Sequence, residues 1–97
     1  RAAQQGALLE RRLRDELGDH PAVVEIRGRG LFWGIELRCS RDAVMMAALE
    51  RDMWVYPAGS GPVADAVMVA PPFVVTEDDI EQIVTRLRAS IDQVHPG

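Results

Sequence analysis

Lysine is absent from this 97-residue chain, and all eleven basic side chains are arginine. Covalent chemistry through a side-chain amine is thereby excluded on this chain. His20, His95, Cys39 and three serines, Ser40, Ser60 and Ser90, remain as groups that could act on a substrate or metal. No Ser/His/Asp set falls in a recognisable motif, and no histidine or cysteine pair has metal-ligand spacing. The predicted catalytic set and the predicted metal set are therefore both empty. Asp78 and Asp79 stand together, but at a helix start, where capping accounts for them without acid–base work. Arg27-Gly28-Arg29-Gly30 is the other pattern with chemical content. A glycine turn carrying two guanidinium groups can hold a phosphate or a carboxylate. It can equally be a tight connection between two strands with both arginines in solvent. It is not a dinucleotide fingerprint, because the third glycine, the following helix and the acidic residue are missing. The Ala58–Ala64 stretch, AGSGPVA, likewise reads either as a ligand cradle or as a plain loop.

The elements that must position these groups follow from periodicity. Val67–Val94 is the organising stretch. Val67–Ala70 is a short apolar strand, stopped by Pro71 and Pro72, which cannot donate to a ladder. Thr76 with Asp79 three positions on forms a capping-box-like start. Ile80, Ile83, Val84, Leu87, Ile91 and Val94 then line one face of a long helix. Upstream, Leu9, Leu13 and Leu17 mark a helix over Arg1–Leu17, weakened by Gly6 and ended near Gly18. Asp19-His20-Pro21 is a turn, and Val23–Ile26 is a strand. Leu31–Leu37 alternates, with Leu31, Trp33, Ile35 and Leu37 on one face and Phe32, Gly34 and Glu36 on the other. Ser40 caps a helix over Arg41–Asp52 with Val44, Met45, Ala48 and Leu49 as its stripe; Met45 and Met46 read as core filler. Met53–Tyr56 is a third strand, closed by Pro57. The coarse order helix, strand, strand, helix, strand, strand, helix predicts an α+β fold. The expected sheet has three or four mainly antiparallel strands covered by helices.

Length and composition bound the answer. Ninety-seven residues make a single domain, 1–97, able to bury roughly 60–70% of its unfolded surface. With 47% apolar and 27% charged residues, the chain has the composition of a soluble globular protein. A net charge of −4 argues against a nucleic-acid or anionic-membrane footprint. No run reaches the ~18 apolar residues a membrane span needs, and no signal peptide is visible. A single cysteine allows no internal disulfide and favours an intracellular, cytoplasmic setting. The chain opens on Arg1 rather than Met, which suggests a piece of a longer protein.

Two segments resemble one family. VVEIRGRGLFWGIEL (Val23–Leu37) resembles the V-x-x-x-R-G-x-G-L-x-x-G-I-E-L segment of class III aminotransferases, fold type I enzymes that use pyridoxal phosphate. DAVMVAPPFVVTEDDIEQIV (Asp65–Val84) is similar to the closing segment of the same family, in matching order and spacing. The resemblance implies the small C-terminal domain of a parent enzyme, usually a homodimer. That parent moves an amino group from an amine or amino acid donor to a keto acid or aldehyde. Pyridoxal 5'-phosphate would be held by a lysine of the missing large PLP-binding domain, so no cofactor is expected on this chain alone. The chain by itself should be inactive and should supply one wall of the substrate pocket. Many relatives place a carboxylate-gripping arginine about ten residues before the paired prolines. Gly61 stands there, and Arg27 and Arg29 are the nearest substitutes. A substrate without that carboxylate, or an anchor on the large domain, fits this pattern.

Two other readings stay open on the residues alone. A free-standing small-molecule-binding or regulatory module would use the ferredoxin-like order that begins at Leu31, though a clear final strand is missing. An oligomerisation module without activity would expose apolar surface and self-associate.

Overall fold

The computed structural model describes residues 2–60, 63–72 and 74–95. Its elements are α1 (Ala2–Leu17), β1 (Val23–Arg29), β2 (Phe32–Leu37), α2 (Arg41–Glu50), β3 (Tyr56–Ser60), β4 (Val63–Val69) and α3 (Glu77–Val94). The four strands form one sheet in the order β1-β2-β4-β3, antiparallel at every pairing. The α+β architecture is the one expected, with four strands rather than three.

One face of the sheet is covered and the other is open. Trp33, Ile35 and Leu37 of β2 and Val67 and Val69 of β4 are buried with Leu9, Leu13 and Leu17 of α1 and Ile80, Val84, Leu87 and Ile91 of α3. Each large aliphatic withdrawn from water there contributes ~1.5–3 kcal/mol, an upper bound. Helix α3 packs against both α1 and α2. Its start is the predicted capping box: Asp79 N–H donates to Thr76 Oγ1 at 3.1 Å and Thr76 N–H donates to Asp79 Oδ2 at 3.0 Å.

The β2–α2–β3 unit is a split crossover. Strands β2 and β3 both pair antiparallel with β4, which lies between them. That arrangement matches part of a ferredoxin-like sheet. The place beside β2, which seemed to lack a strand, is filled by β1 from the N-terminal side. A strand order built from sequence alone misses this, because β1 precedes the unit that it completes.

Several boundaries differ from expectation. Arg27, Gly28 and Arg29 are not a turn; they pair with Gly34, Trp33 and Phe32, and β1 runs through them. The reversal needs only Gly30 and Leu31, because Gly30 adopts φ 58° and so turns the chain in two residues. Met53–Tyr56 is not the third strand. Met53 N–H donates to Ala48 O at 2.9 Å, so the segment is spent closing α2, and Asp52 takes φ 58° at the corner. The strand begins at Tyr56 and includes Pro57, tolerated because β3 is an edge strand. The supposed AGSGPVA loop is therefore largely strand: Ala58–Ser60 belong to β3, and β4 starts at Val63. It ends at Val69, one residue short of Ala70.

Helix α2 ends two residues early and buries Val44, Ala47 and Ala48. Met46 and Leu49 face solvent, 62% and 45% exposed, so Met46 is no core filler. Gly6 is no weakness in α1. A Cβ there would stand 2.6 Å from the Gly30 carbonyl oxygen, so only glycine lets α1 lie on the β1–β2 turn.

Candidate substrate-facing site

The open face of the sheet is assembled by strand alternation. Glu25, Arg27 and Arg29 of β1 share it with Phe32, Gly34 and Glu36 of β2, through the pairs Arg27 with Gly34 and Arg29 with Phe32. Met68 of β4 continues it opposite Gly34, and Tyr56 of β3 opposite Met68. A shallow hollow of about 360 Å³ lies on this face, lined by Arg27, Phe32, Gly34, Glu36, Ala66 and Met68.

Arg27 is held by two carboxylates. Its Nη1 donates to Glu25 Oε2, and its Nη2 lies 3.3 Å from Glu36 Oε1. The hydrogen bond to Glu25 is the main reason its guanidinium stays protonated above the ordinary arginine range. Such a cation is largely neutralised before any ligand arrives. Arg29 is exposed and has no carboxylate within ion-pair distance among the described residues. It stands at the rim of a larger apolar hollow of about 570 Å³, with Leu31, Phe32, Pro71 and Pro72. The structure thus places Arg27 and Arg29 on one face but gives them different surroundings. Gly61 lies outside the described residues.

A second polar cluster escaped the sequence reading. His20, expected only as part of a turn, has its side chain 3% exposed and bonded at both ring nitrogens. Ala22 N–H donates to Nδ1 at 3.0 Å, and Nε2 lies 2.6 Å from Asp92 Oδ1. Because an amide can only donate, Nδ1 is the acceptor and Nε2 carries the proton toward Asp92. That bond is the first cause holding the Asp92 carboxyl below the usual carboxylate range, against some desolvation and with help from Arg88. Arg88 also donates to the Glu16 carbonyl at 2.8 Å, near the end of α1. The 72-residue separation of His20 and Asp92 left no sequence signal for the pair.

Neither cluster contains a hydroxyl or thiol nucleophile paired with a base. The Cys39 thiol is pushed up from its ordinary value, first by burial, which makes it a poor nucleophile. Asp65, part of the second resembling segment, is structural: its Oδ1 accepts Arg41 N–H at 2.9 Å and ties the start of α2 to β4. No group of three metal-ligating side chains occurs among the described residues. No described helix is long and apolar enough to cross a membrane.

The open antiparallel face is backed by three helices. The aminotransferase class-III family matches residues 1–91, and the chain belongs to that family. It is 34% identical to an uncharacterized aminotransferase of Schizosaccharomyces pombe, covering 94% of this chain and 23% of that protein. It is 40% identical to the acetylornithine aminotransferase of Mycolicibacterium smegmatis, covering 80% of this chain and 19% of that protein. Among solved structures, a Bacillus anthracis aminotransferase superposes with a TM-score of 0.86 at 29% identity, over 96% of this chain and 24% of that one. A lysine aminotransferase from M. tuberculosis gives 0.84 at 33% identity, over 96% and 21%. The chain thus spans about a fifth of the length of the relatives it matches.

Proposed function

We propose that this chain is the C-terminal small domain of a pyridoxal phosphate-dependent class III aminotransferase. The parent transfers an amino group from an amine or amino acid donor to a keto acid or aldehyde, and works as a cytoplasmic homodimer. The observation that carries this reading is the family match over residues 1–91 by a chain only about a fifth as long as its relatives. The cofactor supplies the carbanion chemistry of such reactions. It does not fit this chain, which has no lysine to hold it. No step is therefore assigned to these residues beyond binding and enclosure.

In this reading the open face is one wall of the substrate pocket. Phe32 and Met68 exclude water, which strengthens every charge interaction inside a closed site. Arg27, tied to Glu25 and Glu36, is a poor anchor for a carboxylate. Arg29 is the better one. Gly61 brings no cation, which favours a substrate without that carboxylate or an anchor on the large domain.

The test is kinetic and uses the parent polypeptide. Arg29→Ala should raise KM for a carboxylate-bearing substrate about tenfold, a loss of ~1.4 kcal/mol, and leave a neutral aldehyde unaffected. Arg27→Ala should change neither. A parent without a cofactor-binding lysine, or without amino transfer to any tested acceptor, would sink the proposal.

A further inference from the structure

The connection between α1 and β1 is closed by one imidazole. Nδ1 of the buried His20 accepts the amide of Ala22, a residue with no exposed surface, and Nε2–H points at Asp92 near the end of α3. The bond within the turn mimics the one that an asparagine side chain makes to the amide two residues on. An asparagine oxygen accepts at any pH, but an imidazole nitrogen does so only while it is unprotonated. In the imidazolium both nitrogens carry hydrogen, so no rotation of the ring offers the Ala22 amide an acceptor. A buried amide left without a partner is costly, and the turn must open to let water reach it.

We propose that His20 is a proton-operated latch on the α1–β1 connection, shut while the ring is neutral and released when Nδ1 takes a proton from solvent. The groups around the ring accommodate that charge. Asp92 and Arg88 face it from α3, Asp15 and Glu16 from α1, and Asp19 from the turn itself, around a hollow of about 480 Å³ that opens to solvent. His95 stands edge-on at the end of α3, with ring centroids 6.4 Å apart. Arg38 reaches in from the end of β2 to the Pro21 and Val23 carbonyls at 2.9 and 3.2 Å. Carboxylates outnumber guanidinium groups in this set, and Nε2–H keeps its bond to Asp92 in either state. Release is confined to the turn. Helix α1 stays on α3 through Arg12 with Glu81 at 2.7 Å and Arg88 with the Glu16 carbonyl at 2.8 Å, contacts that need no histidine.

Hydrogen exchange on the full-length gene product tests this, with electron-transfer fragmentation resolving single amides and rates corrected for the intrinsic pH dependence of exchange. Between about pH 8 and pH 5, the range in which histidine changes charge, protection of the Ala22 amide should fall about tenfold or more. Protection of Ile80, bonded to the Thr76 carbonyl at the start of α3, should hold. Constant Ala22 protection overturns the latch. So does a fall shared equally by Ile80, which is general loosening in acid. His20→Asn keeps a turn bond to Ala22 without a titrating ring, and its Ala22 protection should not change with pH; a persisting fall gives the effect to another group and overturns the proposal. His95→Gln covers the case in which that variant does not fold. It leaves His20 in place, so the fall should persist, and its disappearance would assign the effect to His95 and overturn the latch.

Discussion

The Asp92 carboxylate bridges two elements that meet only in the folded chain, accepting from His20 Nε2–H and lying 3.4 Å from Arg88 Nε. Its pKa is depressed in the folded state. A depressed carboxylate contributes stability that is present above the unfolded value of about 3.9 and is lost as pH falls through the folded value. Asp92→Asn should therefore destabilise the domain at pH 7 and flatten the acid limb of its stability curve. Because Asp92 is 46% exposed, solvent screening keeps the loss to about 1 kcal/mol. Urea unfolding at pH 7 and at pH 3 checks it; an unchanged acid limb would remove Asp92 from the account. His20→Gln keeps a donor for Asp92 but fills the buried ring site poorly, and should cost more at pH 7 than Asp92→Asn.

At the scale of elements, helices α1 and α3 were legible, while the buried side of α2 and strand β3 were not. Leu9, Leu13 and Leu17, and Ile80, Val84, Leu87 and Ile91, are all fully buried as their spacing implies. A 3.6-residue period reads directly as a face, whatever lies opposite. Strand β3 failed because Met53–Tyr56 and Ala58–Ser60 are both plausible strands locally. What separates them is whether a backbone N–H finds β4 or the end of α2, and Met53 takes the latter. The RGRG stretch failed for a related reason: two glycines suggested a turn, but one positive φ at Gly30 was enough.

Gly6 makes the element-scale prediction. On helix propensity alone Gly6→Ala would stabilise by about 1 kcal/mol. With backbone atoms of Gly30 at 2.6 and 2.8 Å from the new Cβ, α1 must instead lift off the β1–β2 turn. Net destabilisation of about 1–3 kcal/mol is expected by thermal or urea unfolding, while Gln4→Ala on the exposed side of α1 should be near neutral.

At the scale of the whole molecule, one face of the sheet is covered by helices and the other is open. Phe32, Trp54 and Tyr56 are each at least half exposed, as surfaces that bind or self-associate are. Prepared as 97 residues, the chain should show no amino transfer with added pyridoxal phosphate, since it has no lysine. It should also self-associate at high concentration. Light scattering showing a clean monomer throughout would argue that the exposed residues are too dispersed to act as a surface.

Residue types and periodicity alone determined the α+β class, the covered face, both capping arrangements and the absence of covalent amine chemistry. They also carried the two segments that place the chain among class III aminotransferases. These are local properties, set by side-chain chemistry, helical period and short spacing. Only the tertiary structure decided that Arg27 is clamped while Arg29 stands clear, that β1 completes the sheet beside β2, and that His20 is buried against Asp92. Each of these depends on register or on contacts between residues far apart in the chain, where a shift of one position reverses every side chain.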